Sequence, residues 1–123
     1  MAQTKKILVV EDNRDIAGIL KERLEANDFS VVMAEDGYAV LGFLKDDVGP
    51  DAVILDLMLP GRNGMDLLCS LRSKWPKAKI FIYSAFKEYK NKLDFYEKYV
   101  SAFFCKTDGM EKLIEAIKNE LSK

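Results

Sequence analysis

The sequence predicts an α/β domain in which five parallel strands form one sheet with helices on both faces. Three observations predict it. Apolar runs of four to six residues alternate with longer segments of helical period. The runs at 7–10 and 52–55 are apolar at every position, as in strands buried on both faces. Each helical segment is long enough to carry the chain back to the start of a parallel neighbour.

Taken in order, β1 is residues 7–10, Ile-Leu-Val-Val. Helix α1 is expected over 13–26, from Ile16, Ile19, Leu20 and Leu24 at helical spacing, with Asn13 or Asp12 able to cap it. Strand β2 is expected at 29–34. Asp36-Gly37 reads as a turn, and Val40, Leu41 and Leu44 mark α2. Gly49-Pro50 breaks the chain before β3, Ala52–Leu55. A loop with Pro60, Gly61 and Gly64 leads to α3, marked by Met65, Leu68, Leu71 and Trp75 and stopped before Pro76. Strand β4 is expected at 80–83, and a weaker helix, α4, at 87–98 with Leu93 and Tyr96 as anchors. Strand β5 is Ala102–Cys105, and Met110, Leu113, Ile114, Ile117 and Leu121 give α5 an apolar stripe. For five βα units the flavodoxin-like strand order 2-1-3-4-5 is expected. Its ligands bind where the strand order reverses, at the C-terminal ends of β1 and β3.

The 123 residues suit one domain, 1–123. Apolar residues make up 49% and charged residues 32%, the balance of a globular chain. A net charge of -1 argues against non-specific nucleic-acid binding. No stretch approaches the roughly 18 apolar residues of a membrane span, and residues 7–10 are too short for a signal-peptide core. A cytoplasmic protein is expected, with Cys69 and Cys105 as free, buried thiols. Histidine is absent, which excludes a Ser-His-Asp triad, a histidine zinc site and a phosphohistidine carrier in this chain.

Chemistry is therefore sought among carboxylates, hydroxyls and lysines at the strand ends. Glu11 and Asp12 follow β1, Asp56 follows β3, Ser84 follows β4 and Lys106 follows β5. Singly, each has a plain explanation as a helix cap, a turn former or a solvated charge. The predicted fold, however, brings all five to one crevice. Three carboxylates there repel one another, and a hard divalent cation such as Mg²⁺ relieves the repulsion. Lys106 adds a fixed positive charge and Ser84 a hydroxyl donor. Together they are the equipment of phosphoryl transfer, with Asp56 as the nucleophile. A flavin phosphate would need hydroxyl and glycine donors after β1, where this chain has acids, and neither a Walker loop nor a GxGxxG run occurs.

With these residues in view, the chain resembles the receiver domain of bacterial two-component response regulators, the chemotaxis-regulator-like family. The matching segments are Ile7-Leu8-Val9-Val10-Glu11-Asp12, Asp56-Leu57-Met58-Leu59-Pro60-Gly61-Arg62-Asn63-Gly64, Ile82-Tyr83-Ser84-Ala85 and Phe103-Phe104-Cys105-Lys106. The resemblance implies that Asp56 is the phosphoacceptor. Asp12 and Asp56 would ligate Mg²⁺ (Mn²⁺ as a substitute) with the Met58 backbone carbonyl, and Glu11 would act through metal-bound water. Lys106 would pair with Asp56 and then with a phosphoryl oxygen. Ser84 would move to the phosphoryl group, and Phe103 would be the switch aromatic that turns inward with it. The donor would be a sensor histidine kinase or a phosphotransfer protein. The signal would leave through the α4-β5-α5 face to an output domain or a downstream protein. The chain would promote its own phosphorylation and dephosphorylation without being an enzyme for an outside substrate.

Departures from the family pattern are few. Thr107 stands where Pro often follows the lysine, which leaves the Lys106–Thr107 bond open between trans and cis. Glu11 stands where Asp is commoner, and Phe103 where Tyr is commoner. Met58 and Phe86, two residues after Asp56 and Ser84, are both large and apolar. They are read either as groups that restrict attacking water and lengthen the phosphoryl lifetime, or as core. Phe86, Tyr89, Phe95, Tyr96 and Tyr99 cluster around α4, as packing or as a partner surface. Two other functions compete. A phosphorylation-independent pseudo-receiver would usually have lost the Asp, an acid or the Lys. A haloacid-dehalogenase-type phosphatase would need DxDx[TV] after its first strand. No output domain follows Lys123, so either a stand-alone receiver or a domain of a longer regulator is expected.

Overall fold

Alternation along β1 (Lys6–Val10) sends Leu8 and Val10 into one apolar cluster and Ile7 and Val9 into another. β3 (Ala52–Leu55) divides in the same way, with Val53 and Leu55 on one side and Ala52 and Ile54 on the other. Strands of this kind need cover on both faces, and they have it. The first cluster lies under α2 (Gly37–Phe43) and α3 (Gly64–Lys74) through Val40, Leu67, Leu68 and Leu71. The second lies under α1 (Arg14–Ala26) and α5 (Glu111–Leu121) through Leu20, Leu24, Leu113, Ile114 and Ile117. The computed structural model describes residues 4–58, 64–85 and 100–122. The expected α4 and the aromatics Phe86, Tyr89, Phe95, Tyr96 and Tyr99 fall outside them.

The five strands, completed by β2 (Ser30–Ala34), β4 (Lys79–Ser84) and β5 (Ala102–Cys105), pair in parallel in the order β2-β1-β3-β4-β5. This is the order expected from the sequence. Val10 pairs in register with Leu55, and Leu55 with Ile82. Glu11 and Asp56 therefore leave the sheet side by side.

Local details differ from expectation at four places. Asp36 is the N-cap of α2 rather than part of a turn: its side chain accepts from the Ala39 amide at 2.8 Å, and Gly37 is the first helical residue. Ile19, expected in the α1 stripe, is 44% exposed, because Ala17, Leu20 and Leu24 turn the buried face away from it. Cys69, expected to be buried, is exposed on α3, whereas Cys105 is buried. Trp75 lies one residue beyond α3, with its indole N–H donating to the Asp46 carbonyl at 3.1 Å. The indole packs so closely on Gly49 that no side chain fits there. The Lys106–Thr107 bond is trans.

Candidate functional site

The buried polar or charged residues among those described are Glu11, Asp56 and Ser84. They follow or end β1, β3 and β4, neighbours in the sheet. Burying a carboxylate is costly unless partners satisfy it, and each acid here has them. The Asp56 backbone amide donates to the Val10 carbonyl at 3.1 Å, which anchors the residue to β1. Its carboxylate accepts the Met58 amide on Oδ1 at 2.9 Å and the Lys106 ammonium on Oδ2 at 2.7 Å. Glu11 accepts the Asn13 amide on Oε2 at 3.1 Å and lies 2.6 Å from Lys106 Nζ through Oε1.

Lys106 thus bridges two acids that are each 4% exposed. The two sides of the bridge respond differently. Burial raises the Glu11 carboxyl above its ordinary range, and the Lys106 and Asn13 hydrogen bonds only partly oppose it. Burial would lower Lys106, but the hydrogen bonds to Asp56 and Glu11 prevail and hold its ammonium above the usual lysine range. One cation is shared between two buried acids, so the charge balance is negative even before Asp12 is counted.

Asn13, not Asp12, caps α1, accepting from the Asp15 and Ile16 amides at 3.0 and 3.1 Å. Asp12 is thereby left at the exposed rim of the cluster. Carboxylate oxygens of Glu11, Asp12 and Asp56 lie within 4.8 Å of one another. An all-oxygen set open to water on one side fits a hard cation that keeps part of its hydration, as Mg²⁺ does.

The other expected site residues are less concentrated. Ser84 ends β4 and is fully buried. Phe103 is half-buried and packs against the cluster under α2 and α3, the face it shares with Ser84 through the pairs Ile82↔Phe103 and Ser84↔Cys105. Met58 is 48% exposed, which removes the core reading of this residue. Phe86 lies outside the described residues. Sequence reasoning gave no site role to Tyr83 or Gly64. Tyr83 lies below Lys106, its ring centroid 6.0 Å from Nζ, and its place directly before Ser84 was the available signal. Gly64 packs against the backbone of Leu57 so closely that a Cβ would collide, which ties the start of α3 to the residue after Asp56.

Residues 7–118 match the family model of the response regulator receiver domain. The transcriptional regulatory protein CpxR of Escherichia coli K12 is 45% identical over 67 residues, 54% of this chain and 28% of that protein. The response regulator MprA of Mycolicibacterium vanbaalenii is 38% identical over 80 residues, 65% of this chain and 34% of that protein. The matched region is thus about a third of each relative's length. Among solved structures, the response regulator TrrA of Thermotoga maritima, in complex with Mg²⁺-BeF, has a TM-score of 0.82 at 30% identity, covering 94% of this chain and 98% of that one. The non-phosphorylated HemR receiver domain of Leptospira biflexa has a TM-score of 0.86 at 26% identity, covering 98% and 96%. A family match over nearly the whole sheet, on a fold with this strand order, places the chain in the family of response regulator receiver domains of two-component systems.

Proposed function

We propose that this receiver domain accepts a phosphoryl group on Asp56 from a phosphohistidine of a sensor kinase or phosphotransfer protein. The observation that carries the reading is the single cation of Lys106, bonded to both buried acids inside a cluster of three carboxylates. In the transfer, the P–N bond of the phosphohistidine breaks as a P–O bond to an Asp56 carboxylate oxygen forms, and the imidazole leaves with the electron pair. Asp56 is held for this by the Met58 amide and by Lys106, so little orientational freedom is lost on reaction. Asp12, Asp56 and the Met58 carbonyl would hold Mg²⁺ (or Mn²⁺), with Glu11 acting through its water. The metal would supply neutralisation of charge on the phosphoryl oxygens.

The product carries about -1.5 to -2 charge and new acceptor oxygens. Lys106 then pairs with a phosphoryl oxygen, Ser84 donates to another, and Phe103 repacks on the face it shares with Ser84. The change is read at the α4-β5-α5 face by an output domain or a partner protein. Met58 and Phe86 limit attacking water and lengthen the phosphoryl lifetime. The domain works in the cytoplasm, contacts neither nucleic acid nor membrane directly, and turns over no outside substrate.

The test is the mass of the native chain and of Asp56→Asn after incubation with acetyl phosphate or a phosphohistidine protein, with and without Mg²⁺. One phosphoryl group is expected, dependent on Mg²⁺ and absent from the variant. No gain from either donor would reject the reading.

A further inference from the structure

Lys106 bridges the two buried acids of the site, yet it lies just beyond the end of β5 and begins a one-turn 3₁₀ segment, Lys106–Asp108. A lysine has four rotatable bonds, and holding its ammonium between two acids costs side-chain entropy unless something limits its range. The two carboxylates take two of its three N–H donors. They confine the ammonium from above but do not fix the alkyl stem. The ammonium also lies over the ring of Tyr83. This tyrosine is 3% exposed, it belongs to the apolar cluster under α1 and α5, and its ring centroid is 6.0 Å from Nζ. The pair Tyr83↔Phe104 puts this ring on the face from which Lys106, two residues beyond Phe104, reaches over the sheet end.

We infer that the Tyr83 ring is a positioning residue for Lys106, a rigid floor that holds the ammonium against Asp56 and Glu11. The inference rests on the phosphoacceptor reading and adds to it a residue that transfers no proton and touches no phosphoryl group. A ring at this distance attracts a cation weakly, at the outer limit of a cation–π contact. Its larger effect is to exclude the rotamers in which the lysine falls below the carboxylates. The ring, not the hydroxyl, is what acts. The strand end thereby serves both faces of the sheet: Ser84 on one, and the support of Lys106 on the other.

The test uses the full chain with Tyr83→Phe, which keeps the ring, and Tyr83→Leu and Tyr83→Met, which remove it. The rate of phosphorylation by acetyl phosphate with Mg²⁺ is expected to change less than about two-fold in Tyr83→Phe. It is expected to fall about two- to five-fold in whichever of Tyr83→Leu and Tyr83→Met melts as a folded chain. A purely structural role would not move the second readout, the ¹³C-relaxation order parameter of the Lys106 ε-methylene. It should be unchanged in Tyr83→Phe and fall in the ringless variants, as the ammonium gains rotamers. Equal rates and equal Lys106 order in Tyr83→Phe and the ringless variants would overturn the inference. Should the native chain take no phosphoryl group, the proposed function fails, and the Lys106 order still decides whether Tyr83 holds the lysine.

Discussion

The two ends of the sheet carry the same kinds of charge and use them in opposite ways. At the N-terminal ends of the strands, a cleft of about 480 Å³ is lined by Lys5, Asp51, Lys74, Trp75, Lys79 and Glu120, among others. There Lys74 pairs with Asp47 at 2.7 Å and Lys79 with Glu120 at 3.9 Å, at the surface. At the C-terminal ends, one lysine serves two buried acids while a third stands at the rim. The difference shows in the carboxyls. Lys74 lowers Asp47 below its ordinary range, whereas burial raises Glu11 above its own. The two ends differ in convergence and burial, not in the kinds of charge they carry.

The sharpest way to break the contrast is to remove the shared lysine. Lys106→Met should lower stability by about 2 kcal/mol in chelator, because two buried acids lose their cation. Lys74→Met should leave the melting temperature within scatter, as expected of an exposed pair. Equal losses would mean that the two ends are energetically alike. A smaller effect of opposite sign is expected at the rim. Asp12→Asn relieves repulsion and should stabilise the chain by about 0.5–1 kcal/mol without metal. The same substitution should abolish the rise in melting temperature that Mg²⁺ gives the native chain, since a ligand that binds only the folded state stabilises it.

The smallest effect is the dependence on pH, and its sign separates the ends. Glu11 has a folded pKa above its ordinary 4.5, so the fold binds the proton more tightly than the unfolded chain does. Its contribution is present below 4.5 and is lost as pH rises through the folded value. Asp47 runs the other way. Its contribution is present above its ordinary 3.8 and is lost as pH falls through its depressed folded value. Melting temperatures in chelator should therefore diverge between the native chain and Glu11→Gln as pH rises above 4.5, and converge between the native chain and Asp47→Asn as pH falls below 3.8. Parallel profiles in both windows would remove the distinction.

The sheet order was legible as the usual arrangement of five βα units, and the meeting of Glu11, Asp12, Asp56 and Lys106 was legible because it follows from that order and from chain direction. Parallel strands put every strand-end residue at one edge, whatever the side chains do. What was not legible depends on rotation about an axis or on contact through space. Ile19 and Leu20 are adjacent in the chain, and a turn of about 100° between them decides which one meets the core. Asp36-Gly37 carries the residues of a turn, and only the Ala39 amide above it makes Asp36 a cap. Cys69 lies beside the fully buried Leu68 and nevertheless faces solvent. The support of Lys106 by Tyr83 joins two strands and appears only when their register is known.

Trp75 gives the molecule an optical property that its chemistry does not disturb. It is the sole tryptophan of the chain, shielded from solvent against Gly49 and tied to Asp46 at the pole opposite the acid cluster. Its emission therefore reports on whether the scaffold is intact, from a position remote from the acid cluster. Unfolding can thus be followed by the fluorescence of the pole opposite the acid cluster, with little interference from a metal bound at that cluster.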